Sequence, residues 1–293
     1  AVALEFASLW NAAGCEVTLL IRKDRVLSTW ERRASMTLTR ELKRRGVNVI
    51  ARTAVDRVDT GANLGATVHY RQGDSDEDRT AYGEVVLAAI GRVPNTDADW
   101  FRSSGLKLDE RGYVTVDGYG RTNLDGVWAL GDITPGHALA HRAFEQGITI
   151  AEKIAGADPK PVIDDTVPQV VFSFPEAASV GLTLDQAKAR EDVVEPKETA
   201  YPMLSNARML MSGEGGSMTV VSGAFANNPD MQVVLGVHIV SPIASDLIAE
   251  AEQLVGNRIP LADAARLIHP HPTFSETLGE ALLKADGRPL HTR

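Results

Sequence analysis

Apolar positions near the start of the chain follow a helical period and then merge into a continuous run. Apolar residues at positions 2, 4, 6, 9, 10 and 13 predict a helix over residues 1–13 with Gly14 as its C-cap, and residues 16–21 (EVTLLI) predict a strand. In a βαβ unit such a helix follows a strand and a glycine-rich turn. Because neither precedes the helix here, we expect the chain to be a fragment of a longer protein.

The pattern up to residue 154 alternates short strands with helices. We predict helices at residues 37–45 and 138–154, a polar turn at 73–79, and strands at 47–51, 54–58, 67–71, 84–90, 113–116 and 127–130. The run at residues 84–90 (EVVLAAI) is apolar without alternation, which predicts a strand buried on both faces. This part of the chain is therefore expected to be α/β.

The pattern changes after residues 158–165 (DPKPVIDD), which predict a linker. Beyond the linker we predict strands at residues 170–174, 218–221 and 233–240 and helices at 184–190, 244–255, 261–267 and 273–283. Strands and helices grouped in this way are typical of an α+β domain.

Composition and charge exclude several classes of protein. Hydrophobic residues make up 44% and charged residues 24% of the 293 residues, as in soluble globular proteins, and no apolar run is long enough to span a membrane. The net charge of -9 disfavours nucleic-acid binding. Residues 22–45 nevertheless hold nine Lys/Arg against three Asp/Glu. Four of these cations close a predicted helix, where they complement its dipole, whereas those near Arg22 need another explanation.

The chain has one cysteine, Cys15, so it cannot form an internal disulfide. This suits a reducing cytosol, and we expect a cytoplasmic protein. Between Gly14 and a predicted strand, Cys15 is expected to be a small buried apolar residue. We predict no metal site.

Four segments, in one order, resemble the pyridine nucleotide-disulfide oxidoreductase family over essentially the whole chain. They are AVALEFA at residues 1–7, VTLLIRKDRVL at 17–27, AAIGRVPNT at 88–96 with VWALGD at 127–132 and HALAHRAFEQG at 137–147, and HPHPTFSE at 269–276. The resemblance implies a partial Rossmann-type NAD(P)-binding domain at residues 1–90. It also implies a return segment of the FAD domain at 91–158 and an α+β dimerisation domain at 168–293.

By this resemblance, the first two segments belong to a nucleotide site. Glu5 occupies the place of a family Glu that pairs with a Lys beside the flavin, although an acid in a first helical turn is also favoured by the dipole. Ile21 stands where NAD enzymes carry an acid for the ribose. Arg22 and Lys23 follow and suit a 2′-phosphate, which points to NADP rather than NAD, unless they are plain surface cations. Val55 resembles the position whose backbone touches adenine.

The third segment resembles the family's FAD site. Gly91 permits close approach of the backbone to a cofactor. Asp132 matches the Asp that binds a hydroxyl of the FAD ribityl chain. The stretch against the isoalloxazine lies at a helix N-terminus, which can stabilise negative charge on the reduced flavin. Its residues here are Ala138, Leu139, Ala140 and His141.

The fourth segment carries the candidate catalytic pair, His271 and Glu276. A dithiol must lose protons before it reduces a flavin, because the thiolate is the reactive species, and an imidazole accepts a proton near neutral pH. A carboxylate on the other ring nitrogen fixes the tautomer. The resemblance makes His271 the acid/base and Glu276 its orienting partner. His269 is expected to be structural.

The resemblance implies a flavin-dependent dithiol-disulfide oxidoreductase that is similar to dihydrolipoamide dehydrogenase. Such an enzyme moves electrons between NAD(P)H, FAD and a cysteine pair, and acts on a disulfide or dithiol such as a lipoyl group. It works as a homodimer through its C-terminal domain. The cysteine pair lies outside this chain, so the chain alone is expected to be inactive.

Three alternatives stay open. Residues 202–211 (PMLSNARMLM) resemble NAD(P)H:quinone reductases of the same family. A glutathione- or mercuric-reductase-like enzyme is the second alternative, and a non-catalytic dimerising fragment is the third.

Overall fold

A computed structural model describes residues 1–61 and 65–292 of the chain. It divides into two compact units. The first is discontinuous and joins Ala1–Ala89 to Pro168–Arg293, and the second is Ile90–Val167. We describe each unit separately.

The first unit begins with a small α/β layer. Its elements are α1 (Val2–Ala12), β1 (Thr18–Leu20), α2 (Arg32–Arg44) and β2 (Asn48–Ile50), and β1 and β2 pair in parallel. Helix α2 starts where the Glu31 carboxylate accepts hydrogen bonds from the amides of Arg33 and Ala34, and it ends with Lys43 and Arg44 at its negative dipole end. One face of α2 is apolar, and Leu38 and Leu42 on it are fully buried.

A three-stranded antiparallel meander follows, formed by β3 (Thr53–Thr60), β4 (Ala66–Gln72) and β5 (Arg79–Gly83). The predicted strands at residues 54–58 and 67–71 are confirmed. The polar segment at 73–79 connects β4 to β5, where we predicted a turn.

The prediction of a buried strand at residues 84–90 is wrong. This segment has no regular structure and every residue in it is exposed, Ile90 to 90%. A strand is buried on both faces only where neighbouring strands and covering layers exist. Among the described residues, β1 and β2 pair only with each other, so the apolar run of residues 84–90 has no strand partner.

The C-terminal part of the first unit is an antiparallel five-stranded sheet in the order β6-β7-β10-β9-β8. The strands are β6 (Gln169–Val171), β7 (Glu176–Gly181), β8 (Val193–Tyr201), β9 (Ser217–Phe225) and β10 (Asn228–Ser241). We predicted β6, β9 and β10 but missed β7 and β8. Strand β7 lacks a clear alternation because four of its residues are buried in succession.

Helices pack against this sheet. They are α5 (Leu184–Ala189), α6 (Ala207–Ser212), α7 (Ala244–Gly256), α8 (Leu261–Ala264) and α9 (Glu276–Ala285), of which α6 was not predicted. The main core joins the sheet to α7, α8 and α9. A second core joins the N-terminal layer to the sheet, since Val171, Ala177 and Val240 pack with Leu38 and Leu42 of α2.

The second unit contains α3 (Asp99–Ser103), a 3-10 helix (Gly131–Ile133) and α4 (Ala140–Ile154). The strands predicted at residues 113–116 and 127–130 are reduced to single antiparallel bridges, Leu108 to Val114 and Arg121 to Trp128. Arg142 of α4 is buried and donates to Asp164 at 2.6 Å and to the Pro135 carbonyl at 2.7 Å. The bond to Asp164 fastens the segment after α4, predicted as a linker, to the helix.

Candidate active site

The candidate catalytic pair lies where the loop after α8 enters α9. Nδ1 of His271 is 2.8 Å from Oε1 of Glu276, the first residue of α9. The second carboxylate oxygen of Glu276 accepts the Thr273 amide at 2.7 Å. The Thr273 hydroxyl donates to the Pro270 carbonyl at 2.7 Å, which tightens the turn. The structure thus brings together the two residues that the sequence paired.

Charge and tautomer in this pair follow from its hydrogen bonds. Burial alone would raise the pKa of Glu276, but the Thr273 amide and His271 outweigh it and hold that pKa below its ordinary value. Glu276 is therefore ionised near neutral pH and can only accept, so Nδ1 of His271 carries the proton. The His271 side chain is 72% exposed, which makes Nε2 accessible to a reactant.

Two further histidine–glutamate pairs flank the first. Nε2 of His269 lies 2.8 Å from Oε1 of Glu250 on α7, and Nδ1 of His291 lies 2.7 Å from Oε1 of Glu280 on α9. The hydrogen bond that His269 donates to Glu250 is the main cause of the raised pKa of His269. Sequence reasoning missed Glu250, Glu280 and His291, because their partners are 11 to 19 positions away and no spacing rule joins them.

Tyr201, at the end of β8, is buried close to this carboxylate cluster. Burial, followed by the charges of Glu280 and Glu276, raises the pKa of Tyr201 to about 12. The phenol therefore stays neutral around neutral pH.

Asn206 links the loop that carries His271 to α6. Its Nδ2 donates to the Thr273 carbonyl at 3.1 Å, and its Oδ1 accepts the Met209 amide at 3.0 Å and so caps the helix. Asn206 lies in the segment 202–211, which the sequence analysis associated with quinone reductases. Its contacts here are with the His271 loop.

The predicted nucleotide-binding residues of the first unit lie in different settings. The Glu5 carboxylate accepts the Phe172 amide at 3.1 Å. Ile21 packs against the N-terminal core, while Arg22 and Lys23 are exposed in the turn after β1. No ion pair among the described residues involves these two cations. Val55 lies on β3 with an exposed side chain.

The predicted FAD residues lie in the second unit. Gly91 has a φ of +127°, and a Cβ there would meet nothing within 4 Å, so the backbone is open to a ligand. The exposed Asp132 lies in the 3-10 helix, which is fastened to α4 by a 2.9 Å bond from the Gly131 amide to Gln146. Helix α4 begins within the predicted isoalloxazine stretch, whose residues are Ala138, Leu139, Ala140 and His141.

Arrangement and chemistry in the second unit fit a flavin nucleotide. Leu139, the N-cap of α4, provides no side-chain hydrogen bond to the first turn. The N-terminus of a 15-residue helix is thus left to stabilise a negative partner such as the reduced flavin ring. The Asp132 carboxylate is an acceptor suited to a ribityl hydroxyl.

Cys15 departs from its prediction, because it is exposed rather than buried. It follows Gly14 in the turn between α1 and β1, where residues 12–16 all face outward. The burial of the strand begins only at Val17. Separately, none of the helices in the described residues is long and apolar enough to cross a membrane.

Comparison with known proteins identifies the class of this fold and site. Residues 1–147 match the family model described as pyridine nucleotide-disulphide oxidoreductase, and residues 167–282 match the dimerisation domain of the same family. The chain belongs to the pyridine nucleotide-disulphide oxidoreductase family.

Within this family, the chain is similar to curated dihydrolipoyl dehydrogenases. The chain is 37% identical to the dihydrolipoyl dehydrogenase of Cupriavidus necator, covering 99% of this chain and 59% of that protein. It is 36% identical to the dihydrolipoyl dehydrogenase of Geobacillus stearothermophilus, covering 99% and 60%. The chain therefore spans less than two thirds of the length of these relatives.

Solved structures agree on the fold. LpdA from Mycobacterium tuberculosis superposes with a TM-score of 0.83 at 30% identity, covering 96% of this chain and 59% of that one. The HOCl-induced flavoprotein disulfide reductase RclA from Escherichia coli superposes with a TM-score of 0.81 at 24% identity, over 96% and 62%. The predicted combination of α/β and α+β layers is confirmed.

Proposed function

We propose that this chain works within a flavin-dependent dithiol-disulfide oxidoreductase of the dihydrolipoyl dehydrogenase type. The 2.8 Å hydrogen bond between His271 and Glu276, with the opposite face of the imidazole exposed, carries this proposal. A base held in one tautomer beside an open surface suits proton exchange with a thiol. The curated relatives named dihydrolipoyl dehydrogenase support the choice of substrate class.

The catalytic step assigned to this chain is proton transfer. A substrate or enzyme thiol gives its proton to Nε2 of His271, which leaves the thiolate that can react with a disulfide or reduce a flavin. The ionised Glu276 stabilises the imidazolium that forms and returns the ring to the same tautomer. FAD and NAD(P)H, when bound, supply the hydride and electron chemistry that the side chains lack. Cys15 is the sole cysteine here, so the redox pair comes from sequence outside this chain.

The cofactor assignments follow the family and the local chemistry. Asp132, Gly91 and the N-terminus of α4 would hold FAD. Arg22 and Lys23 would hold the 2′-phosphate of NADP, because the neutral Ile21 stands where an acid would otherwise repel that phosphate.

Assembly and location complete the proposal. The domain at residues 167–282 matches a dimerisation domain, which supports a homodimer whose dyad serves the disulfide of the other subunit. The domain borders at residues 1–90, 91–158 and 168–293 remain our assignment for the NAD(P), FAD and dimerisation parts. A single exposed cysteine suits the reducing cytoplasm.

The test compares three reactions of the full-length enzyme carrying His271→Gln. Dithiol-linked turnover should fall by about 100-fold or more, the usual scale for a lost general base. Reduction of the flavin by NAD(P)H and direct quinone reduction should persist, because neither needs a proton from His271. The matched control is His69→Gln in β4, which should leave all three reactions unchanged.

Two outcomes contradict the proposal. Equal losses in all three reactions mean that His271 is structural. No loss in any reaction removes the dithiol role and favours the alternative of a quinone reductase.

A further inference from the structure

The orientation of His271 cannot come from packing of its own ring. With 72% of the side chain exposed, the ring makes one hydrogen bond within the described part of the chain, to Glu276. The position of that bond depends on the backbone of the loop that carries His271. Contacts other than the hydrogen bond between His271 and Glu276 must therefore fix the loop.

His269 is the buried anchor of this loop. Only 9% of its side chain is exposed, and Nε2 bonds to Glu250 of α7 at 2.8 Å. The other ring edge rests on α9, where a Cβ added at Gly279 would lie 2.5 Å from Nδ1. The His269 ring thus lies between α7 and α9.

We propose that Glu250 is a positioning residue for the proton-transfer step, acting through His269 on the backbone from which His271 projects. This inference rests on the proposed function. One residue, Pro270, separates the anchor from the base, so the Cα atoms of His269 and His271 are at most about 7 Å apart. A displacement of His269 is therefore transmitted to His271 over a very short span.

The charge of Glu250 also helps to fix the orientation of the His269 ring. Glu250 raises the pKa of His269 through its hydrogen bond, so the ring is drawn to the carboxylate as a partly charged donor. At the far end of the loop, Asn206 holds the Thr273 carbonyl and Glu276 holds the Thr273 amide. The segment between His269 and Thr273 is short, and it carries the exposed His271 ring. A displacement of about 1 Å at a reacting group can cost up to 100-fold in rate.

The experiment uses the full-length holoenzyme with Glu250→Ala, Glu250→Gln and, as a matched control on the same helix, Glu252→Ala. Glu250→Ala should lower kcat of the dithiol reaction by about 10-fold or more without slowing flavin reduction by NAD(P)H. Glu250→Gln should recover part of the rate, since its amide oxygen can still accept from His269. Glu252→Ala should behave like the wild type.

Coupling to His271 separates positioning from general damage. In the His271→Gln background, Glu250→Ala should cause no further loss, because the group being positioned is already gone. The inference would be overturned by additive losses in the double variant. It would also be overturned if Glu250→Ala slowed the dithiol reaction and flavin reduction equally, or if it behaved like Glu252→Ala.

A measurement without turnover keeps the two proposals distinguishable. In the wild type, the ring ¹⁵N shifts of His271 should report a protonated Nδ1, and in Glu250→Ala they should move toward a tautomer mixture. Unchanged shifts refute the positioning role even if the enzyme has no dithiol activity. Absent wild-type dithiol turnover with shifted tautomers refutes only the proposed function.

Discussion

His271 and Glu276 share a 2.8 Å hydrogen bond although their exposures differ greatly, with 72% of the histidine side chain and 20% of the glutamate side chain accessible. The acid is held by the start of α9 and by the Thr273 amide, while the base projects outward. The fixed member of the pair is thus the carboxylate. The hydrogen bond to the Glu276 carboxylate sets the tautomer of the His271 imidazole.

We predict that Glu276 makes stability depend on pH in the acid range. Its folded pKa lies below the ordinary 4.5, so its stabilising contribution is present above 4.5 and is lost as the pH falls through the folded pKa. The difference in unfolding free energy between wild type and Glu276→Gln should shrink as the pH falls from 4.5 through the folded pKa of Glu276. Denaturant unfolding at several pH values measures it. A difference that grows toward acid pH would contradict the assignment.

We predict the opposite pH direction for His269. Its folded pKa is raised above the ordinary 6.5, so the stability it gains from Glu250 is fully present below 6.5 and is lost as the pH rises through the folded pKa. An NMR titration of the His269 ring should show the raised pKa, and Glu250→Gln should lower it. If both proteins titrate His269 at the same pH, the ion pair does not form in solution.

We predict that the full-length enzyme accepts NADPH at least as well as NADH. Replacing Ile21 by Glu and Arg22 by Ala should shift the preference toward NADH by about 1–3 kcal/mol, the scale of a lost charge-assisted hydrogen bond. The ratio of kcat/KM for the two nucleotides measures the shift. Lys43→Ala, at the C-terminal end of α2, serves as a control for a general loss of positive charge. A strict NADH preference in the unmodified enzyme would remove this assignment.

We predict that two glycines in helices respond oppositely to alanine. Gly147 of α4 has nothing within 4 Å of an added Cβ, so Gly147→Ala should stabilise by about 0.5–1 kcal/mol through helix propensity. At Gly279 an added Cβ meets the His269 ring at 2.5 Å. Gly279→Ala should destabilise by about 1–3 kcal/mol and disturb the His269 signals. Stabilisation of both variants would show that His269 moves away at no cost.

The dyad was predicted from the family resemblance of residues 269–276, and its geometry is local. Glu276 lies five positions after His271, and a turn leading into a helix brings them together. Glu250 and Asn206 were not accessible in this way, since α7 and α6 reach the loop only through the folded sheet. Neither has a spacing signal relative to His271.

The errors have a related physical origin. The run at residues 84–90 has the composition of a buried strand, but burial depends on neighbours that the described residues do not provide. Cys15 was judged by its residue type, whereas its exposure follows from the turn after Gly14. The helices α1, α4 and α7 were predicted to within two residues at each end because their amphipathic periods are long, whereas α2 begins at Arg32, five residues before its predicted start.

The core shared by α2 and the five-stranded sheet sets an order of events during synthesis. Leu38 and Val240 belong to the same buried cluster although about 200 positions separate them, so forming that cluster closes a very large loop. At a translation rate of about 5–20 residues per second, the sheet is completed roughly 10–40 s after α2 leaves the ribosome. Throughout that interval the apolar side of α2 lacks the sheet surface that buries it in the folded chain.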